Sequence, residues 1–128
     1  MTNRILLCTY EGEEYLEAQL ASMEGQTESN FRLLLSDDAS TDRSFAIGEA
    51  AAARDARITA IRRAERSGSA ARHFFEGLRD PRFFSAADES DYYLFSDQDD
   101  IWHPDKLAVE ARAMRRLEAR YGKALPLL

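Results

Sequence analysis

Three carboxylates, Asp97, Asp99 and Asp100, stand within four residues directly after the apolar run Tyr92-Tyr93-Leu94-Phe95. Such a run, closed by Ser96, is the pattern of a buried strand, so the acids lie where the chain leaves the core. Residues two apart in an extended chain point to one side, which predicts that Asp97 and Asp99 converge while Asp100 faces away. Two carboxylates at a strand end suit a hard divalent cation, which takes oxygen ligands and often shares them with phosphates. The same residues also fit an acidic turn that simply ends a strand.

Other strand ends carry candidate chemistry. Arg4–Tyr10 (RILLCTY) is nearly all apolar and predicts a strand covered on both faces; it ends in Thr9-Tyr10-Glu11. Phe31–Ser36 predicts a second strand and ends in Asp37-Asp38. Arg57–Arg62 alternates and predicts a third, which leads through a polar loop to Ser67-Gly68-Ser69. Tyr10 offers a flat ring to a nucleobase or packs on a neighbour as a rim tyrosine. One of Asp37 and Asp38 is suited to a pyrimidine N–H or a ribose hydroxyl; the turn-and-cap role fits Asp37 and Asp42 better. Ser67-Gly68-Ser69 with Arg72 suits a diphosphate at a helix N-terminus, or a plain loop and cap. His73, beside Phe74 and Phe75, reads as a packed or surface residue, and Trp102 as an anchor for the loop after the acids.

The elements between must position these residues. Glu13–Glu24 has helical periodicity through Leu16, Leu20 and Met23, with Gln19 assigned to the polar side and Gly25 as the stop. Thr41–Arg54 predicts a second helix, with Gly48 as a weak point, and Ala70–Leu78 a third. Asp80–Ser90 reads as irregular. Pro104 suits the first position of a last helix whose stripe is Leu107, Ala111, Met114, Leu117 and Tyr121. Arg112, Arg115, Arg116 and Arg120 fall mostly off that stripe, as a solvated face or a surface for a membrane or partner. Strands alternating with helices predict an α/β domain with an open, mainly parallel sheet, in which ligands bind outside the carboxyl ends of the strands.

The 128 residues predict one domain, 45% of them hydrophobic, with a net charge of −6. That balance argues against nonspecific nucleic-acid binding. The one cysteine, Cys8, builds neither a disulfide framework nor a zinc cluster and reads as a buried structural thiol. No apolar stretch approaches a membrane span, and a cytoplasmic location is expected.

The segments CTYEGEEYLEAQL, QT, FRLLLSDDASTD, GSAARHFFEGL and YYLFSDQDDIWHPDKL, in this order, resemble glycosyltransferase family 2, the nucleotide-sugar-dependent enzymes of GT-A fold. The FSDQDDIW form is most similar to the bacterial rhamnosyltransferase branch. The resemblance covers almost the whole chain and implies roles. Thr9, Tyr10 and Glu11 would line the base pocket, with Tyr10 stacking on the base and Asp38 contacting it. Gly68 and Arg72 would lie near the diphosphate and sugar. Asp97-Gln98-Asp99 matches the family's DXD motif, in which Asp99 would chelate Mn2+ or Mg2+ and Asp97 would contact the ribose or a metal-bound water. Glu11, Ala39 and His73 depart from the usual asparagine, glycine and asparagine; Glu11 either brings negative charge toward the donor phosphates or faces solvent.

The implied reaction is inverting transfer of a sugar from a nucleotide-sugar, such as dTDP-rhamnose or a UDP-sugar, to a glycan or lipid-linked acceptor in surface polysaccharide synthesis, with peripheral membrane association possible at the cytoplasmic face. No residue here matches the acceptor-side base. The expectation is a donor-binding domain over residues 1–128, with the base and acceptor subdomain beyond Leu128 and a new strand beginning within residues 121–128. An uncovered sheet edge would then favour self-association. A noncatalytic nucleotide-sugar-binding or assembly module is the competing class. A receiver-type signalling domain fits less well, because its acidic pair belongs after the first strand.

Overall fold

A computed structural model of the protein describes residues 1–123. The elements are β1 (Asn3–Thr9), α1 (Glu13–Glu24), β2 (Phe31–Asp37), α2 (Ser44–Arg54), β3 (Ile58–Arg62), α3 (Ala70–Gly77), a 3-10 turn (Pro81–Phe84), β4 (Tyr92–Ser96) and α4 (Lys106–Tyr121). The four strands form one parallel sheet in the order β3-β2-β1-β4. The predicted α/β architecture is therefore present. The new strand expected within residues 121–128 falls largely outside the described residues; Tyr121 ends α4.

Handedness explains the layers. The chain steps from β1 to β2 to β3 in one direction, so right-handed crossovers put α1 and α2 on one face. It then returns past β1 to place β4, and the reversed step sends α3 to the opposite face. Strand alternation divides the core accordingly. Ile5, Leu7, Leu33 and Leu35 pack with Leu16, Leu20, Met23, Ile47, Trp102 and Leu107. Leu6, Cys8 and Leu34 pack with Phe83, Phe74 and Leu78 on the other side. Each such buried aliphatic or aromatic side chain contributes about 1.5–3 kcal/mol. Burial pushes the Cys8 thiol up to about 12, which fits the inert core thiol expected from the sequence.

Two glycines set how closely helices approach the sheet. A Cβ on Gly48 of α2 would lie 3.0 Å from Leu35 Cδ2, and one on Gly77 of α3 would lie 2.8 Å from Leu6 Cδ2. Gly48 is thus a packing residue and not a weakness in its helix.

Two expectations change around α4. The helix starts at Lys106 and not at Pro104, because Lys106 N–H bonds His103 O at 3.0 Å in a tight turn first. Only Leu107 and Ala111 of its apolar stripe are buried, and Tyr121 is exposed. The 3-10 turn lies within the stretch expected to be irregular, started by Asp80, whose side chain accepts from Arg82 N–H.

Candidate functional site

A parallel sheet delivers all its carboxyl ends to one edge, and the strand order reverses between β1 and β4, the kind of switch point at which open α/β sheets bind ligands. Thr9 pairs with Asp37 and Asp37 with Arg62, so three strands end level. β4 ends at Ser96 opposite Leu7. The loops after β1, β2, β3 and β4 therefore face one region.

The loops after β1 and β2 are stitched together. Glu11 N–H donates to Ser40 Oγ and Gly12 N–H to Ser44 Oγ, both at 2.9 Å. Asp42 accepts from Glu13 N–H at 3.1 Å and from Ser44 N–H at 2.8 Å. Burial alone would raise the Asp42 carboxyl; the donors around it outweigh that and hold it below the ordinary aspartate range. Asp37, fully buried, accepts from Ser40 N–H and Oγ at 2.9 and 2.7 Å. Asp37 and Asp42 are thus turn and cap residues, as expected.

Glu11 is exposed, as the solvent-facing alternative had it, and it is also tied to the neighbouring loop. Its carboxylate accepts from the N–H and hydroxyl of Thr41 at 2.5 and 2.9 Å. Its own φ of +49 and that of Ala39, +56, turn the two loops toward each other. The charge is spent on the loop junction, across 30 residues of sequence.

Asp38 is 3% exposed, and its two oxygens accept from Ser67 N–H and Ser67 Oγ at 2.7 Å each. Arg63 stands 3.4 Å away, and His73 Nδ1 3.9 Å. Arg63 also pairs with Glu76, which holds Arg72 at 3.2 Å. Asp38 thereby fixes the loop before α3. Ser69 caps that helix by accepting from Arg72 N–H at 3.1 Å, and Gly68 has a φ of +96, a left-handed conformation that favours glycine. Arg72 itself is exposed. His73 is buried and hydrogen-bonded through Nε2 to Ser36 Oγ at 2.9 Å. Burial pushes its pKa down, so the neutral form is the folded one; this is the packed histidine the sequence suggested.

Thr9 is buried under the edge, not on it. Its carbonyl accepts from Asp38 N–H at 2.9 Å, and its hydroxyl has no hydrogen-bond partner. Tyr10 is half-buried; its N–H donates to Gln98 Oε1 at 3.0 Å, and the Arg66 guanidinium lies 3.9 Å from its ring centre.

The acidic segment differs from expectation in its backbone. β4 ends at Ser96, and Asp99 has a φ of +76, so Asp97–Asp100 is a turn. Two-residue alternation therefore does not set the directions of Asp97 and Asp99. All three acids are exposed, and Asp97 Oδ1 accepts from Gln98 N–H at 2.9 Å. Among the described residues no three His, Cys, Asp or Glu side chains form a metal cluster.

Several supporting residues escaped the sequence reading. Gln19 is fully buried on the apolar side of α1, where its amide donates to Ser96 Oγ at 3.1 Å and Asp97 O at 2.6 Å. Its spacing from Leu16 and Leu20 was the available signal. Gln98 joins the β4 turn to Tyr10, and Gln26 links His103 O to Leu107 N–H at 2.7 and 3.0 Å. Trp102, by contrast, is the anchor the sequence suggested: it is buried, with its N–H on Ser22 Oγ at 3.0 Å, and holds the segment after the acids.

Known proteins share this fold. The crystal structure of S. aureus TarS superposes with a TM-score of 0.74 at 24% identity, over 91% of this chain and 20% of that one. A mannosyltransferase from Pyrobaculum calidifontis, solved with GDP-Man and Mn2+, gives a TM-score of 0.68 at 23% identity, over 90% and 32%. These two likenesses are of fold. In sequence, the dTDP-rhamnosyl transferase RfbG of Shigella flexneri is 33% identical over 102 residues, 79% of this chain and 34% of that protein. The chain thus spans about a third of the length of that relative. Residues 4–121 match the glycosyl transferase family 2 profile, nearly the whole sheet with all its crossovers, and the chain belongs to that family.

Proposed function

We propose that this chain is the nucleotide-sugar-binding side of an inverting glycosyl transfer. The observation that carries the reading is the meeting of Tyr10, Asp38 with the Ser67–Arg72 segment, and the Asp97–Asp99 turn at one strand-end edge. Tyr10 presents a ring to the base, with Thr9 and Glu11 shaping its backbone. Asp38 takes a base N–H, either with a spare lone pair or by exchanging part of its bond to Ser67. Gly68 and Arg72 serve the diphosphate and sugar.

Asp97 and Asp99 fit Mn2+ or Mg2+ chemically. They are exposed oxygen donors, and such ions are commonly held by one or two carboxylates with phosphates completing the shell. When bound, the cation supplies charge neutralisation for the departing nucleoside diphosphate. The relative's donor makes dTDP-rhamnose the first candidate, followed by UDP-sugars, with a glycan or lipid-linked acceptor in surface polysaccharide synthesis. The acceptor-side base is supplied from outside the described residues, and the reaction takes place in the cytoplasm. The exposed Arg112, Arg115, Arg116 and Arg120 suit peripheral contact with an anionic membrane face. Exposed Tyr93 and Phe95 on the β4 edge suit self-association, to be checked by sedimentation velocity; a monomer at all concentrations refutes it.

The second reading is a binding module without turnover. Calorimetric titration of dTDP and UDP, with and without Mn2+, tests the common core. Metal-dependent binding that disappears in Asp99→Ala is expected. Metal-independent binding, or none by a folded sample, overturns the metal and donor assignments respectively. Sugar transfer by this chain alone would remove the second reading.

A further inference from the structure

Arg66 lies over one face of the Tyr10 ring, its guanidinium carbon 3.9 Å from the ring centre. The neighbouring arginines are engaged elsewhere: Arg62 donates to Ser40 O at 2.9 Å, Arg63 pairs with Glu76, and Arg72 pairs with Glu76 at 3.2 Å. Among the described residues Arg66 has the Tyr10 ring as its partner and no carboxylate within ion-pair distance. Its backbone is pinned on one side only. Ser67 is buried and held by Asp38 through two 2.7 Å bonds, and the next residue, Gly68, has open space around it. The exposed Arg66 side chain can therefore rise from the ring without disturbing the loop.

We propose that Arg66 is the second wall of a base slot: a planar nucleobase inserts between the Tyr10 ring and the guanidinium, which closes over the far face of the base. This rests on the donor-site reading above. A base stacks on tyrosine more strongly than an exposed arginine does, so the base takes the ring face. A guanidinium is itself flat and weakly hydrated and stacks on a base as it does on a ring, so its contact is transferred and not lost. The slot selects flat heterocycles while leaving the choice among bases to Asp38.

The test is an NMR-monitored titration of the full chain with thymidine and with dTDP, on wild type, R66A, R66K, Y10A and the R66A/Y10A pair. R66A should weaken both ligands by the same factor, about three- to tenfold, with the melting temperature unchanged. R66K should not restore binding, because it keeps the charge and loses the plane. The pair should lose less than the product of the single losses. Equal or tighter binding by R66A would make the arginine a mere cover on the ring. Loss of dTDP binding without loss of thymidine binding would make it a phosphate partner. Both outcomes overturn the slot and leave the donor site standing. A folded wild type that binds neither ligand overturns both.

Discussion

The two ends of the sheet use buried charge in opposite ways. At the amino end Arg4 and Asp91 are 3% and 9% exposed and meet at 2.7 Å. Asp91 also accepts from Thr2 N–H at 2.7 Å and Asp88 N–H at 3.0 Å, and Arg4 donates to Phe83 O at 3.3 Å. Both groups of this pair are thus satisfied by the protein itself. At the carboxyl end Asp37 and Asp38 are equally buried and also hydrogen-bonded, but above them Arg66, Arg72, Asp97, Asp99 and Asp100 remain exposed. Buried charge at one end closes the structure. At the other it builds a platform under charges that face outward, which the proposed donor site would use.

The largest effect should come from breaking the closed end. Asp91→Asn leaves Arg4 buried without its counter-ion and should cost about 3–5 kcal/mol, read as a lower denaturation midpoint. An Asp91→Asn chain with wild-type stability would show that the closed end is not what holds β4. This ion pair also sets an acid limit. Burial pushes the Asp91 carboxyl up, but hydrogen bonds from Arg4, Asp88 and Thr2 outweigh it and hold it below the usual range. Its contribution is therefore complete above about pH 4 and is lost as pH falls through the depressed folded value.

A smaller effect belongs to His73, beneath the open end. Its lowered pKa means that the unfolded chain takes up the proton first. Stability from this group is complete above about pH 6.5 and falls as pH drops toward the folded value. Melting curves between pH 7 and pH 5 should show a decline in wild type that is shallower in His73→Asn. Parallel declines would mean that His73 does not titrate across folding.

The smallest stability effect should be that of Asp99→Asn, within about 0.5 kcal/mol by urea denaturation, since the side chain is exposed and Asn keeps the backbone conformation. A loss of several kcal/mol would make Asp99 part of the scaffold and blur the contrast between the two ends. The left-handed backbone of Asp99 makes Asp99→Asn better behaved here than Asp99→Ala, because Asn tolerates that conformation.

Most elements were legible from spacing. α1 falls on Glu13–Glu24 as predicted, and the strands lie within a residue or two of the expected ranges, because apolar periodicity records which face is buried. Gln19 was misassigned for the same reason: a polar residue on a buried stripe looks like an exposed one until its partners Ser96 and Asp97 are seen.

By itself the sequence determined the alternation of strands and helices, the family resemblance, and the acids, the tyrosine and the glycine-containing loop that end the strands. These are local properties of residue type and spacing. Tertiary structure alone decided what those residues touch. The order β3-β2-β1-β4 places the β4 turn beside β1, so Gln98 reaches Tyr10 across 88 residues and Arg4 reaches Asp91 across 87. Glu11 meets Thr41, Ser67 meets Asp38 and Arg66 meets Tyr10 only because separate loops end at one edge. Such pairings depend on strand order and crossover hand, and neither is written in any one stretch of the chain.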